Sequence, residues 1–282
     1  MSAEQANAGR ESAAGRDRGG TLAPLTLHVL RTQARGAVIW AVVLGLYGAA
    51  IMAIYPSIAG TPQLDQVLDA YPAGIKEAFG ITSLTDVGSY LDSQIFSVIV
   101  PIALSFFPIL AASGAIAGAE ERGTIDVLLG NPVPRWHLVA GYALSTALAL
   151  AGILAALAIS LWVPAWLLGV DFPLSDSFAA AFNLWPLCAF FGALAMLCSA
   201  LCRRRALSTA IPGAVLLTMY LVDVLGGLLD PFESLRHLSV FYYYGSALQD
   251  GVDRAGSAGV AAAALALVVL AALLFGRRDI YA

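Results

Sequence analysis

Residues 93–119 read SQIFSVIVPIALSFFPILAASGAIAGA, with no Asp, Glu, Lys or Arg among them. A bilayer core ~30 Å thick takes about 20 apolar residues of helix to cross. This stretch is longer than that, so it reads as a membrane span. Pro101 and Pro108 lie inside it. In a bilayer such prolines kink a helix without ending it. Working outward, five more stretches are free of those charges: 36–64, 138–170, 177–202, 206–222 and 255–276. The fifth of the six, 206–222, is the shortest and is extended by Val222, Asp223 and Val224. The chain therefore reads as an all-α membrane protein of six transmembrane helices, at about 37–58, 94–117, 138–163, 178–202, 206–225 and 257–275. The third stretch is long enough to add an interfacial turn around Trp162, Pro164 and Trp166, because tryptophan favours that boundary.

Composition agrees. Of 282 residues, 59% are hydrophobic and 12% charged, against about 25% charged in ordinary domains. So few charges cannot cover a soluble surface. A soluble enzyme, a disordered chain and a nucleic-acid binder are excluded, and lipid is the expected surrounding. Cys188, Cys198 and Cys202 share one apolar segment and read as small buried hydrophobes rather than a disulfide framework. His28, His137 and His237 fall at boundaries or loops on both sides and cannot converge on a metal. No His-Glu-x-x-His is present.

Orientation follows from Lys and Arg in short loops. With the N-terminus in the cytoplasm, that side holds Arg10, Arg16, Arg18, Arg31, Arg35, Arg122, Arg135, Arg203, Arg204, Arg205, Arg277 and Arg278. The other side keeps Lys76, Arg236 and Arg254. Both termini are thus expected inside. Asp65, Asp69, Glu77 and Asp86 fall on the outer side, which fits the sorting.

Residues 1–22, rich in Ala, Gly, Ser and Arg, read as a disordered cytoplasmic tail, and 23–282 as a single six-span domain. Residues 23–35 are expected to form a helix on the inner surface, with Arg31 and Arg35 at the headgroups. Gly114 and Gly118 form Gly-x-x-x-Gly, which permits close helix approach, either at a subunit contact or against span three. At 225–254, Gly226 and Gly227 interrupt an apolar stretch. Two readings stay open there: a broken or re-entrant helix, or a plain helix end and a loop. Phe241, Tyr242, Tyr243 and Tyr244 read as an interfacial belt or a stacking site. Asp223 is the only carboxylate placed within a span. It is either an interfacial acid or an outer gate.

The loop after span two carries the functional signal. Residues 119–135 read AEERGTIDVLLGNPVPR. Thr124 is a candidate N-cap with Asp126 in the first turn. Ile125, Leu128 and Leu129 recur at i, i+3 and i+4, one face of a short helix. Gly130, Asn131 and Pro132 stop it. A short amphipathic helix clamped between two spans can transmit force from a soluble partner, although an inert connector is the alternative.

The stretch Glu120-Glu121-Arg122-Gly123-Thr124-Ile125-Asp126-Val127-Leu128-Leu129, with Pro132 and Arg135, resembles the signature of type-2 ABC transporter permeases. The six-span topology is similar to that family too. Gly130-Asn131 before Pro132 is a small departure. The resemblance implies a coupling helix that contacts a separate ATPase subunit through Glu120, Glu121, Gly123, Thr124, Asp126, Leu128, Leu129, Pro132 and Arg135. It also implies contact between 23–35 and the ATPase, small re-entrant helices before the last span, and a second permease copy, identical or not. The pathway would lie between the copies, with Pro101, Phe106, Phe107 and Pro108 as candidate lining.

The chain cannot burn ATP itself. A P-loop needs Gly-x-x-x-x-Gly-Lys-Ser/Thr, and the one lysine is Lys76, followed by Glu77. ATP and Mg are expected on the partner. The expected function is the permease subunit of an ATP-driven exporter in a bacterial cytoplasmic membrane, of unread cargo. The alternative is an ion-coupled carrier that works without an ATPase.

Overall fold

The computed structural model describes residues 22–59, 61, 83, 85–121, 123, 134–229 and 232–277. These form α1 (Leu22–Ala59), α2 (Val87–Leu91), a π-helical turn (Asp92–Phe96), α3 (Ile99–Ala115), α4 (Ala117–Glu121), α5 (Arg135–Leu168), α6 (Leu174–Leu201), α7 (Arg205–Leu228), α8 (Glu233–Arg236), α9 (Val240–Tyr244) and α10 (Arg254–Arg277). No strand occurs among the described residues. By length and composition α1, α5, α6, α7 and α10 can each cross a membrane. The α2–π-turn segment and α3 make a sixth candidate, bent by 43°.

The bend has a local cause. Proline lacks an N–H, and its ring crowds the carbonyl four residues back. For Pro101 that residue is Ser97, where the helix breaks. The Ser97 N–H donates instead to the carbonyl of Asp92 at 2.8 Å, a π-type bond, and its hydroxyl donates there too at 3.0 Å. Pro108 stays inside α3. Span two therefore starts earlier than expected, at Val87, with Asp86 capping it by accepting the Ser89 N–H at 2.9 Å.

Two expectations are corrected. Residues 23–35 do not form a separate surface helix. They are the first half of α1, because Pro24 sits in the first turn and nothing from Leu25 to Tyr55 breaks the helix. This half lies along α5: Leu25 closes on Gly141, and the Ser145 hydroxyl donates to the Thr26 carbonyl at 2.8 Å. The interfacial turn around Trp162, Pro164 and Trp166 is likewise continuous helix. Its two indole rings stack at 6.3 Å, and α5 stops only at Gly169, whose φ is +69°.

The hub is α6, which packs against α3, α5, α7 and α10, while α1 packs mainly on α5. Small residues set the approach. A Cβ on Gly192 of α6 would come within 2.7 Å of the Pro108 Cβ, so the proline ring of α3 nests on a bare backbone. Leu154, Leu157, Leu161, Leu184 and Phe191 fill the core behind it. Cys188, Cys198 and Cys202 are free thiols; the first two are buried as expected, whereas Cys202, at the C-cap of α6, is half-buried.

Candidate functional site

The stem of the 119–135 loop is built where three helices end together. The Ala117 N–H at the start of α4 donates to the Ser199 hydroxyl of α6 at 2.9 Å. That stitch points two carboxylates at the α6–α7 link and the start of α7. Glu120 Oε1 lies 3.8 Å from Arg203 Nε, and Glu121 Oε2 accepts the backbone N–H of Arg205 at 3.2 Å. Arg205 is the first residue of α7. The leading N–H groups of a helix lack intrahelical partners and form the positive end of its dipole. Glu121 is therefore a cap delivered from another segment. Gly114 faces this contact: a Cβ there would meet the Arg205 guanidinium at 3.9 Å, an ordinary packing distance. The first glycine of the Gly-x-x-x-Gly pair thus faces span five, not span three, and Gly118 is buried.

Gly123 has φ +66°, a left-handed conformation that suits glycine, and its N–H donates to the Glu120 carbonyl at 3.0 Å. It turns the chain out of α4 into the loop. Thr124, Asp126, Leu128, Leu129 and Pro132 lie outside the described residues. Arg135 is the first residue of α5. Its Nη1 donates to the Phe275 carbonyl at 3.4 Å, and its guanidinium carbon sits 5.9 Å from the Phe275 ring centre. A cation suits that place, the carbonyl end of α10. One side of the loop is thus tied to α6 and α7, the other to α10.

The four pathway candidates do not share one environment. Pro101, Phe107 and Pro108 are buried within this chain, whereas Phe106 is half-buried and faces Gly213 of α7.

At the opposite end, Asp223 Oδ1 pairs with Arg236 Nε at 3.2 Å, which joins α7 to α8. Gly226 and Gly227 do not interrupt the span: α7 runs on to Leu228. Gly226 instead lets the Arg236 stem lie on the helix, since a Cβ there would overlap Arg236 Cγ. Arg236 also sits over the Tyr242 ring at 5.7 Å. The aromatic run divides. Tyr242 and Tyr243 are exposed. Phe241 is buried against Tyr220 and Phe191, and the Tyr244 hydroxyl donates to the Phe96 carbonyl at 3.2 Å. Ser239 pins α9 by donating to the Met219 carbonyl at 2.8 Å.

One residue of this end escaped the sequence reading. Asp92, just before the charge-free stretch 93–119, opens the π-helical turn and is only 4% exposed. Gln249 Nε2 donates to its carboxylate at 2.9 Å. The available signal was its position directly before the charge-free stretch. Among the described residues, no three His, Cys, Asp or Glu side chains are grouped to hold a metal.

A family model described as ABC-2 family transporter protein matches residues 28–280. No curated protein and no solved structure matches the chain. The match takes in every described helix except the first turns of α1, and with it both anchors of the 119–135 loop. The resemblance read from the loop residues holds at family level, and the chain belongs to the ABC-2 transporter family.

Proposed function

We propose that this ABC-2 chain is the permease subunit of an ATP-driven exporter in a bacterial cytoplasmic membrane. A separate ABC ATPase, holding ATP and Mg, would dock on the 119–135 loop, with both termini on the same inner side. One observation supports this above the others. The loop's two stems are fixed to different helices, Glu121 to α7 and Arg135 to α10. A partner that displaces the loop then pulls on two spans at once. Nucleotide binding can bias the permease only if the partner grips the inward- and outward-open states unequally.

In this reading a second permease copy, identical or homologous, completes the pathway, and no covalent chemistry occurs in this chain. Phe106 is the first choice for lining among Pro101, Phe106, Phe107 and Pro108, because its ring reaches α7 rather than the chain's interior. Asp223 and Arg236 serve as the outer latch.

The test is reconstitution of the chain in vesicles with and without the ABC ATPase that co-purifies with it. Solute movement is expected only with ATPase and nucleotide together. Movement driven by an ion gradient alone, with no ATPase present, overturns the proposal and favours a secondary carrier. Glu121→Ala combined with Leu128→Ala is expected to abolish ATPase co-purification.

A further inference from the structure

A cavity of about 330 Å³ lies between α5, α6 and α10, with Pro108 and Ala112 of α3 at its back. That volume is in the range of small-ligand pockets, ~300–1,000 Å³. Its wall is almost wholly apolar and rich in alanine, including Ala143 and Ala147 of α5, Ala189 of α6 and Ala264 of α10. Leu144 and Leu265, on the facing helices α5 and α10, are 50% and 65% exposed. The cavity therefore opens sideways between these two helices, toward the bilayer rather than toward water.

Its placement along α5 follows from helix geometry. The lining residues run from Ala140 to Leu150, about 7 to 23 Å from Arg135 at ~1.5 Å per residue. Trp136 shares their face, being four, seven and eleven residues before Ala140, Ala143 and Ala147. Trp136 is exposed and Arg135 lies over Phe275. Toward the start of α5, beyond the cavity's first lining residue Ala140, lie a guanidinium and an indole, and the apolar slot runs from there toward the bilayer's middle. Indoles favour the headgroup level, and basic pockets between membrane helices take anionic headgroups.

We propose that this cavity holds one acyl chain of an anionic phospholipid whose phosphate sits at Arg135. An occupant of this shape fills the space among α5, α6 and α10.

Trp185 supplies the probe. It lines the cavity, and its Nε1 donates to the Ala147 carbonyl at 3.3 Å. A chain with Trp40, Trp136, Trp162 and Trp166 replaced by Phe leaves it as the sole indole. This chain is reconstituted in phosphatidylcholine vesicles containing phosphatidylglycerol brominated in its acyl chains. Trp185 fluorescence is expected to be quenched more strongly than by brominated phosphatidylcholine. Adding Ala147→Leu and Ala264→Leu, which fill the slot, is expected to abolish the excess. Arg135→Gln is expected to cut the headgroup preference about fivefold. Native mass spectrometry of the unaltered protein, which needs no variant to fold, is expected to show retained phosphatidylglycerol. An unquenched Trp185, quenching that survives filling of the slot, or equal quenching by the two headgroups overturns the proposal.

Discussion

The carboxylate of Glu121 caps a helix eighty-four residues away, accepting the N–H of Arg205 at 3.2 Å. This bond joins the end of span two to the start of span five and fixes one stem of the loop. Replacing Glu121 by Ala is expected to cost about 1 kcal/mol of stability, as for loss of an N-cap. Gln at this position restores most of it, because the amide oxygen accepts the same bond. Thermal melts of the two variants in one detergent check this.

Gly123 is held at φ +66°. A Cβ in that conformation costs about 1–2 kcal/mol, and asparagine tolerates it better than other side chains. Gly123→Val is therefore expected to lower both the melting temperature and ATPase capture. Gly123→Asn is expected to keep most of each.

Asp223 and Arg236 form a partly enclosed pair, with side chains 21% and 24% exposed. A double-mutant cycle with Asp223→Asn and Arg236→Gln is expected to return a coupling of about 1 kcal/mol. Gly226→Ala is expected to give a comparable loss with both charges intact, because its Cβ would overlap Arg236 Cγ. Additive single effects in the cycle would show that the pair contributes nothing.

The contact between Gly192 and Pro108 leaves no room for a methyl group. Gly192→Ala is expected to destabilise by about 1–3 kcal/mol through overpacking of the hub. Gly152, with open space around its Cβ position, is the control: Gly152→Ala is expected to be neutral or stabilising. Melting temperatures distinguish the two.

Gln249 donates to the buried Asp92 carboxylate. Gln249→Leu removes a donor from an enclosed acid, which is expected to cost about 1–3 kcal/mol. Faster hydrogen exchange at Val87–Phe96 is the accompanying readout.

Charge-free runs were enough to locate the long helices, because a bilayer forbids charges over the length a helix needs to cross it. Periodicity could not show that α1 continues through Arg31 and Arg35, since two arginines one turn apart look alike on a surface helix and on the exposed side of a packed one. The contacts of Leu25 and Thr26 with α5, which are tertiary, decide it. The bend at Ser97 was written in Pro101, but a kink that leaves the helix unbroken was expected and the helix instead breaks between Phe96 and Ile99. Gly226 and Gly227 left a broken helix and a plain helix end both open, whereas α7 runs on to Leu228 and Gly226 serves the close approach of Arg236, a tertiary contact. Glu121 and Arg135 were legible as motif residues, while their tethers on Arg205 and Phe275 depend on packing that no local pattern encodes. Asp92 was hidden by its place at the edge of a run.

The central claim is that the 119–135 loop faces the cell interior and receives force from an ATPase. Its most direct test is a single cysteine at position 128, in a background with Cys188, Cys198 and Cys202 replaced, probed with a membrane-impermeant maleimide. Coupling through the loop predicts no labelling in intact cells, labelling in opened membranes, and protection when the ATPase is bound. Labelling from outside intact cells, or labelling unaffected by the ATPase, contradicts it.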